Sequence, residues 1–168
     1  MLTDLVQIKL LGEKKRPENE RFRKHMKSFD HSDRILRRIG EQIEDAIDCL
    51  ACANCCRVAT AKVTERDVER LARYLRVKPA RIMAEYVVKS EEEGLILRRD
   101  KMTGCVFLSG NECTVYDARP AICGDFPHLV RGKGTIPFRM WQFIDRATYC
   151  PIVYNSLEAF KDEMEFKR

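Results

Sequence analysis

Cys49-Leu50-Ala51-Cys52-Ala53-Asn54-Cys55-Cys56 places four thiols within eight residues, and Cys105, Cys113, Cys123 and Cys150 follow at wider intervals. Thiolates are soft ligands for zinc, iron and iron-sulfur clusters, and two-residue gaps bring successive sulfurs to one side of a tight turn or helical start. On a continuous helix, steps of about 100° would hold Cys49, Cys52, Cys55 and Cys56 within about 120° of one another. Side chains of adjacent residues diverge, so one of Cys55 and Cys56 is expected to serve a second centre or to remain a thiol.

All eight cysteines are candidate cofactor and metal ligands. Three of them spaced as Cys49, Cys52 and Cys55, completed by a distant cysteine before proline such as Cys150-Pro151, follow the spacing of bacterial ferredoxins. Simple zinc modules pair two CxxC knuckles across a short loop, whereas only one end of this chain has that spacing. The long, unequal gaps from Cys105 to Cys113 to Cys123 suit corners of a cluster gathered from several loops. A 4Fe-4S cluster is therefore the expected cofactor, zinc is the alternative, and the two can coexist. A CxxC dithiol active site needs an electropositive helix start after a strand, and an apolar helical pattern precedes Cys49 instead. No paired carboxylates or cysteine-histidine motif mark a catalytic centre, so catalytic residues are unassigned. His25 and His31 fall in a polar stretch, and His128 follows Phe126-Pro127 as an ordinary histidine or a hydrogen-bond partner behind the ligands. Arg119-Pro120 has two readings: a charge that offsets a thiolate-rich centre, or half of a salt bridge with Asp117 or Asp125.

The totals agree with metal rather than disulfides. At 168 residues the chain can bury a core without depending on cross-links. Met1-Leu2-Thr3-Asp4 begins no basic region followed by an apolar run and cleavage site, so a cytoplasmic location is expected, where thiols are kept reduced. No run approaches the length of a membrane span. The net charge of +5 is modest, and the basic stretch Lys14 to Lys27 is interleaved with Glu13, Glu18 and Glu20. A solvated face fits it better than a phosphate-binding patch, so nucleic acid is not an expected partner.

The elements that must position the thiols can be read coarsely. Residues 1–30 carry no cysteine and are expected to form an arm, able to dock a partner, ahead of a single cysteine-cluster domain over 31–168. From Ser32 or Asp33 as cap, Ile35, Leu36, Ile39, Ile43, Ala46, Ile47 and Leu50 mark one helical face leading to the cluster. Thr64-Glu65-Arg66-Asp67 has the form of a capping box before Val68, Leu71 and Leu75. Pro79 opens a third helix that would bury Ile82, Met83, Tyr86 and Val87. Beyond Gly94, short β-compatible runs at 95–97, 105–108 and 113–116 alternate with turns, and Arg131 to Gly134 would close a hairpin with Ile136 to Phe138. Ser156 to Phe166 reads as an amphipathic helix. The expected fold is mainly α with small β hairpins and irregular loops, organised around a cysteine-ligated metal centre.

Cys49-x2-Cys52-x2-Cys55-Cys56, Cys105-Val106-Phe107-Leu108, Cys113-x-Val115-Tyr116, Arg119-Pro120-x2-Cys123-x2-Phe126-Pro127 and Cys150-Pro151, in that order, resemble the cysteine-cluster proteins of the YkgJ family over roughly residues 45 to 155. The resemblance implies a zinc- or iron-chelating domain, often one with an iron-sulfur cluster. A flagellin lysine methylase has a similar cluster, but this chain has no glycine-rich loop after a strand to hold S-adenosylmethionine, so methylase activity is not expected.

Three functions follow as expectations. The first is an iron-sulfur protein that carries electrons, or supplies iron or clusters, for a larger enzyme system. The alternatives are a zinc-stabilised interaction module and a metal-dependent enzyme of unknown reaction. The expected partner is another protein or enzyme complex, with no membrane.

Overall fold

The amphipathic pattern after Ser32 forms the helix it predicts, and the computed structural model, which describes residues 1–29 and 32–167, builds two units around such patterns. One comprises residues 1–48 and 127–168, the other residues 49–126. His31 lies outside the described residues.

In the first unit, α1 (Leu5–Lys14), α2 (Arg16–Met26) and α3 (Asp33–Ala46) are helices. The expected arm is thus helical from residue 5 to residue 26, because Ile8, Phe22 and Met26 recur on faces that can be buried. Asp4 caps α1 by accepting from the Gln7 N–H at 2.8 Å. Ser32 stands at the N-cap of α3 but has helical backbone angles and makes no capping bond. Instead the Asp33 carboxylate accepts from Arg37 and from the Ile136 N–H. α3 buries Leu36, Ile39 and Ile43, as its periodicity predicts.

The hairpin expected at 131–138 is not formed. Thr135 caps a helix with Pro137 in its first turn, and that chemistry outweighs the glycine-rich turn before it. The same unit also contains Pro151–Glu163, a helix that starts five residues before the expected Ser156 and buries Ile152, Val153, Leu157 and Phe160. Gly12 admits no side chain, since a Cβ there would lie 2.6 Å from the Ala147 carbonyl oxygen. Lys161 is 0% exposed and is held by Glu18, by Glu158 at 2.5 Å and by Asn19 at 3.1 Å.

The second unit opens with two short helices, α4 (Cys49–Cys52) and α5 (Asn54–Val58), followed by α6 (Glu65–Leu75) and α7 (Pro79–Tyr86). The capping box is present: Thr64 accepts from the Asp67 N–H and Asp67 accepts from the Thr64 N–H. β1 (Val87–Ser90) and β2 (Gly94–Leu97) pair antiparallel from Val87 opposite Leu97 to Ser90 opposite Gly94. Residues 61–63 extend this pair through Val63 N–H to Leu95 and Leu97 N–H to Ala61, each 2.9 Å. The runs at 105–108 and 113–116 become two smaller pairs, β3 (Arg99–Asp100) with β4 (Gly104–Cys105), and β5 (Leu108–Ser109) with β6 (Glu112–Cys113). A 3₁₀ turn, Tyr116–Ala118, and α8 (Ala121–Asp125) complete the unit. Its core holds Val63, Val68, Leu71, Ile82, Val87, Leu97, Phe107 and Val115. The remaining helices of the first unit are α9 (Ile136–Arg146) and α10 (Pro151–Glu163). The fold is mainly α with small antiparallel strand pairs.

Candidate metal centre

The cysteine-rich segment does not continue as one helix. α3 ends at Ala46, and Ala53 takes a left-handed conformation, φ 47° and ψ 14°, between α4 and α5. The break strands two carbonyls of α4, and both are recovered: the Asn111 amide donates to Ala51 O at 2.6 Å and Arg57 to Cys52 O at 3.1 Å. Cys49 is exposed, while Cys52, Cys55 and Cys56 are half-buried.

Two hairpins come up to α5. Gly104 in β4 has φ 86°, and a Cβ there would stand 2.7 Å from both the Arg57 Cα and the Cys56 carbonyl oxygen, so backbone meets backbone beside Cys56. Cys105 is the next residue. From β3, Arg99 donates to Arg57 O at 2.5 Å and Val58 O at 2.6 Å, fixing the end of α5. Arg57 in turn reaches the β5–β6 turn through Gly110 O at 2.8 Å and the Asn111 side chain, which sets Cys113, paired opposite Leu108.

Cys123 is positioned from α6. The Asp67 carboxylate accepts from the Ala121 N–H at 3.0 Å and from Arg70 at 2.6 Å, and Arg70 also donates to Ala118 O at 3.3 Å and Arg119 O at 2.6 Å. This clamp orders the turn into α8. Asp67 is expected from the sequence only as part of the capping box, and the bonds of Arg57, Arg99, Asn111 and Arg70 are not marked there, a basic residue directly after Cys55-Cys56 being the one local signal.

Cys56, Cys105, Cys113 and Cys123 lie in one another's electrostatic field. Burial pushes Cys105 and Cys113 up, with further upward contributions from neighbouring thiols. It pushes Cys123 up to about 12, reinforced by Cys105, Cys56 and Cys113. Cys56 goes the other way, to about 7, chiefly through its hydrogen bond with Cys55 and, against burial, through the guanidinium groups of Arg57 and Arg119. Arg119 forms no ion pair with Asp117 or Asp125 among the described residues; it stacks on the Tyr116 ring at 3.7 Å and donates to Tyr116 O at 3.2 Å. Its charge acts downward on Cys56, Cys113 and Cys123.

Seven of the eight expected ligands thus fall in the second unit. Cys150 belongs to the first unit, where it is 5% exposed at the start of α10. Among the described residues, no three histidine, cysteine, aspartate or glutamate side chains are placed to hold a metal ion as they stand, and no disulfide joins the cysteines. The donor set itself, thiols with arginines around them, suits a soft ion or a cluster and not a hard oxygen-seeking cation. His25 packs among Phe22, Phe29 and Phe166, far in character from a ligand. No described helix is long and apolar enough to cross a membrane.

The second unit is built of short helices and short strand pairs that carry seven of the thiols. The sequence pattern of the CxxCxxCC family, described as "putative zinc- or iron-chelating domain", matches residues 48–151, and the chain belongs to that family, in agreement with the resemblance drawn from its motifs. No curated protein and no solved structure gives a significant match.

Proposed function

We propose that the protein holds a 4Fe-4S cluster and carries electrons, or supplies iron or clusters, for a larger enzyme system in the cytoplasm. The observation that carries this reading is the backbone packing that brings the Cys105 strand against Cys56 at Gly104, with Arg57 reaching the turn before Cys113; with Cys123 these supply four thiols for the four corners of one cluster, and the charge of Arg119 acts on three of them. Cys49, Cys52 and Cys55 form the adjoining group, available to a second centre; Cys150 is the remaining candidate.

A bound cluster would supply a one-electron couple. The residues of the chain do the rest. Three raised thiols must each give up a proton on ligation, so retention weakens as pH falls. Arg57 and Arg119 offset the negative charge that four thiolates bring, and the backbone contact at Gly104 fixes the approach of Cys56 and Cys105.

The test is anaerobic purification followed by absorption spectroscopy, with iron, zinc and acid-labile sulfide measured on the same sample. Matching iron and sulfide, with a broad band at roughly 400 nm that bleaches with dithionite, is the expected result. Stoichiometric zinc in a colourless sample would sink the cluster and leave a zinc-stabilised interaction module. Rapid alkylation of Cys55 in metal-loaded protein would point instead to an enzyme with a working thiol.

A further inference from the structure

The first unit contains a cavity of about 470 Å³ that no thiol approaches. Its walls come from the end of α2 and the first turns of α9. Met26, Phe29, Phe138 and Trp141 are among its apolar lining, and Arg23 and Lys27 stand in the same lining. The size lies in the range of small-molecule sites, which combine apolar walls with a few polar groups.

Two features make it unusual for a surface hollow. Phe138 is 75% exposed and Trp141 60% exposed, one helical turn apart on α9, so two aromatic faces stand unburied at one site. The charge there is also unbalanced. Asp33 is the one acidic residue of the described lining, and its carboxylate is already engaged by Arg37 and by the Ile136 N–H. Arg23, half-buried, meets Glu20 from outside the lining through Nε at 2.9 Å, a bond that uses one of the five N–H donors of its guanidinium. Lys27 is exposed.

Exposed aromatic faces beside lysine and arginine are the combination that takes a flat ring by stacking and its acidic group by charge. We propose that this cavity binds a small planar aromatic anion of the mononucleotide class, with the ring on Trp141 and Phe138 and the phosphate on Arg23 and Lys27. The same chemistry is offered by an adenine mononucleotide and by a flavin mononucleotide. The inference does not depend on which metal the second unit holds.

Trp141 is the sole tryptophan of the chain, so its emission reports this cavity alone. The full chain is titrated separately with AMP, with FMN, with adenosine and with inorganic phosphate. Saturable quenching by AMP or by FMN is expected, and which of the two binds tighter identifies the source. Adenosine and phosphate should each bind weaker by roughly tenfold or more. The double variant Arg23→Glu, Lys27→Glu should lose the response. Phe138→Ala, which removes an exposed ring and leaves the reporter in place, should weaken it by about tenfold. Absence of saturation by both nucleotides up to about 1 mM would overturn the proposal. So would equal binding of adenosine and AMP, or an unchanged response in the charge-reversed variant with native circular dichroism. Emission that shifts with protein concentration before any ligand is added would replace it with a contact between two copies of the chain.

Discussion

The two units are stabilised by different means. The first relies on apolar faces: Ile8, Phe22, Leu36, Phe143 and Phe160 are fully buried on five helices, and the buried charges Lys161 and Arg139 are held by Glu18 and Asn19 and by the carbonyls of residues 128, 129 and 131. The second has an apolar core under α6, α7 and the β1–β2 pair, to which Phe107, Val115 and Ala118 also belong, and from residue 99 onward it adds arginine-to-carbonyl bonds and strands two residues long. Strand pairs of that length do not hold themselves in water. The difference teaches that the first unit is ordered by packing alone, whereas the second combines a core with polar ties between short segments that carry its thiols.

The largest expected break in this contrast comes from cysteines. Cys123→Ser should abolish metal retention, while Cys150→Ser, in the packed unit, should leave metal content unchanged; metal and sulfide analysis of both variants decides it. Loss in Cys150→Ser and retention in Cys123→Ser would reverse the ligand assignment. Next comes Lys161→Ala in the first unit, which leaves Glu18 and Glu158 beside a vacated buried position. A loss of about 3–5 kcal/mol in denaturant unfolding is expected, with metal content preserved.

Asp67→Asn should cost less, about 1–3 kcal/mol, and its effect should fall on the second unit. Burial pushes this carboxyl up, but bonds from Thr64 and Ala121 and the charge of Arg70 outweigh it and hold the group below the usual carboxylate range. Because the folded state favours the ionised form, this contribution is present in full above the unfolded value of about 3.9 and is lost as pH falls through the lower folded value. The gap between native and variant stability should therefore be flat near neutrality and close in acid. The smallest effect belongs to Arg119→Gln. In the metal-free chain, the alkylation profile of Cys56, with its midpoint at about 7, should move upward slightly, since the bond from Cys55 contributes more than Arg119. An unmoved profile would remove the tuning role.

Helices were legible where one local signal sufficed. The periodicity of α3, the capping box of α6 and the proline that opens α7 each specify an element without help from distant residues. α2 was not, because its mean composition is so polar that Phe22 and Met26 alone mark the buried face. α9 was hidden behind the glycines at 132 and 134, although Thr135 and Pro137 carried its start. For the site, sequence spacing identified all the thiols but not their grouping. That grouping depends on Gly104 meeting the Cys56 backbone and on Arg57 reaching Gly110, contacts between segments roughly fifty residues apart that no local pattern encodes.

On the proposed grouping of Cys56 with Cys105, Cys113 and Cys123, their distance along the chain has a consequence in time. A ribosome adding about 5–20 residues per second completes the Cys49–Cys56 segment several seconds before Cys123 is made. During that interval four neighbouring thiols are outside any finished site, open to oxidation or to a stray ion, and the clamp from Asp67 and Arg70 has nothing yet to grip. Correct loading is thus a late event, and newly made chains will be most vulnerable to oxidants in the seconds before their last hairpin and α8 emerge.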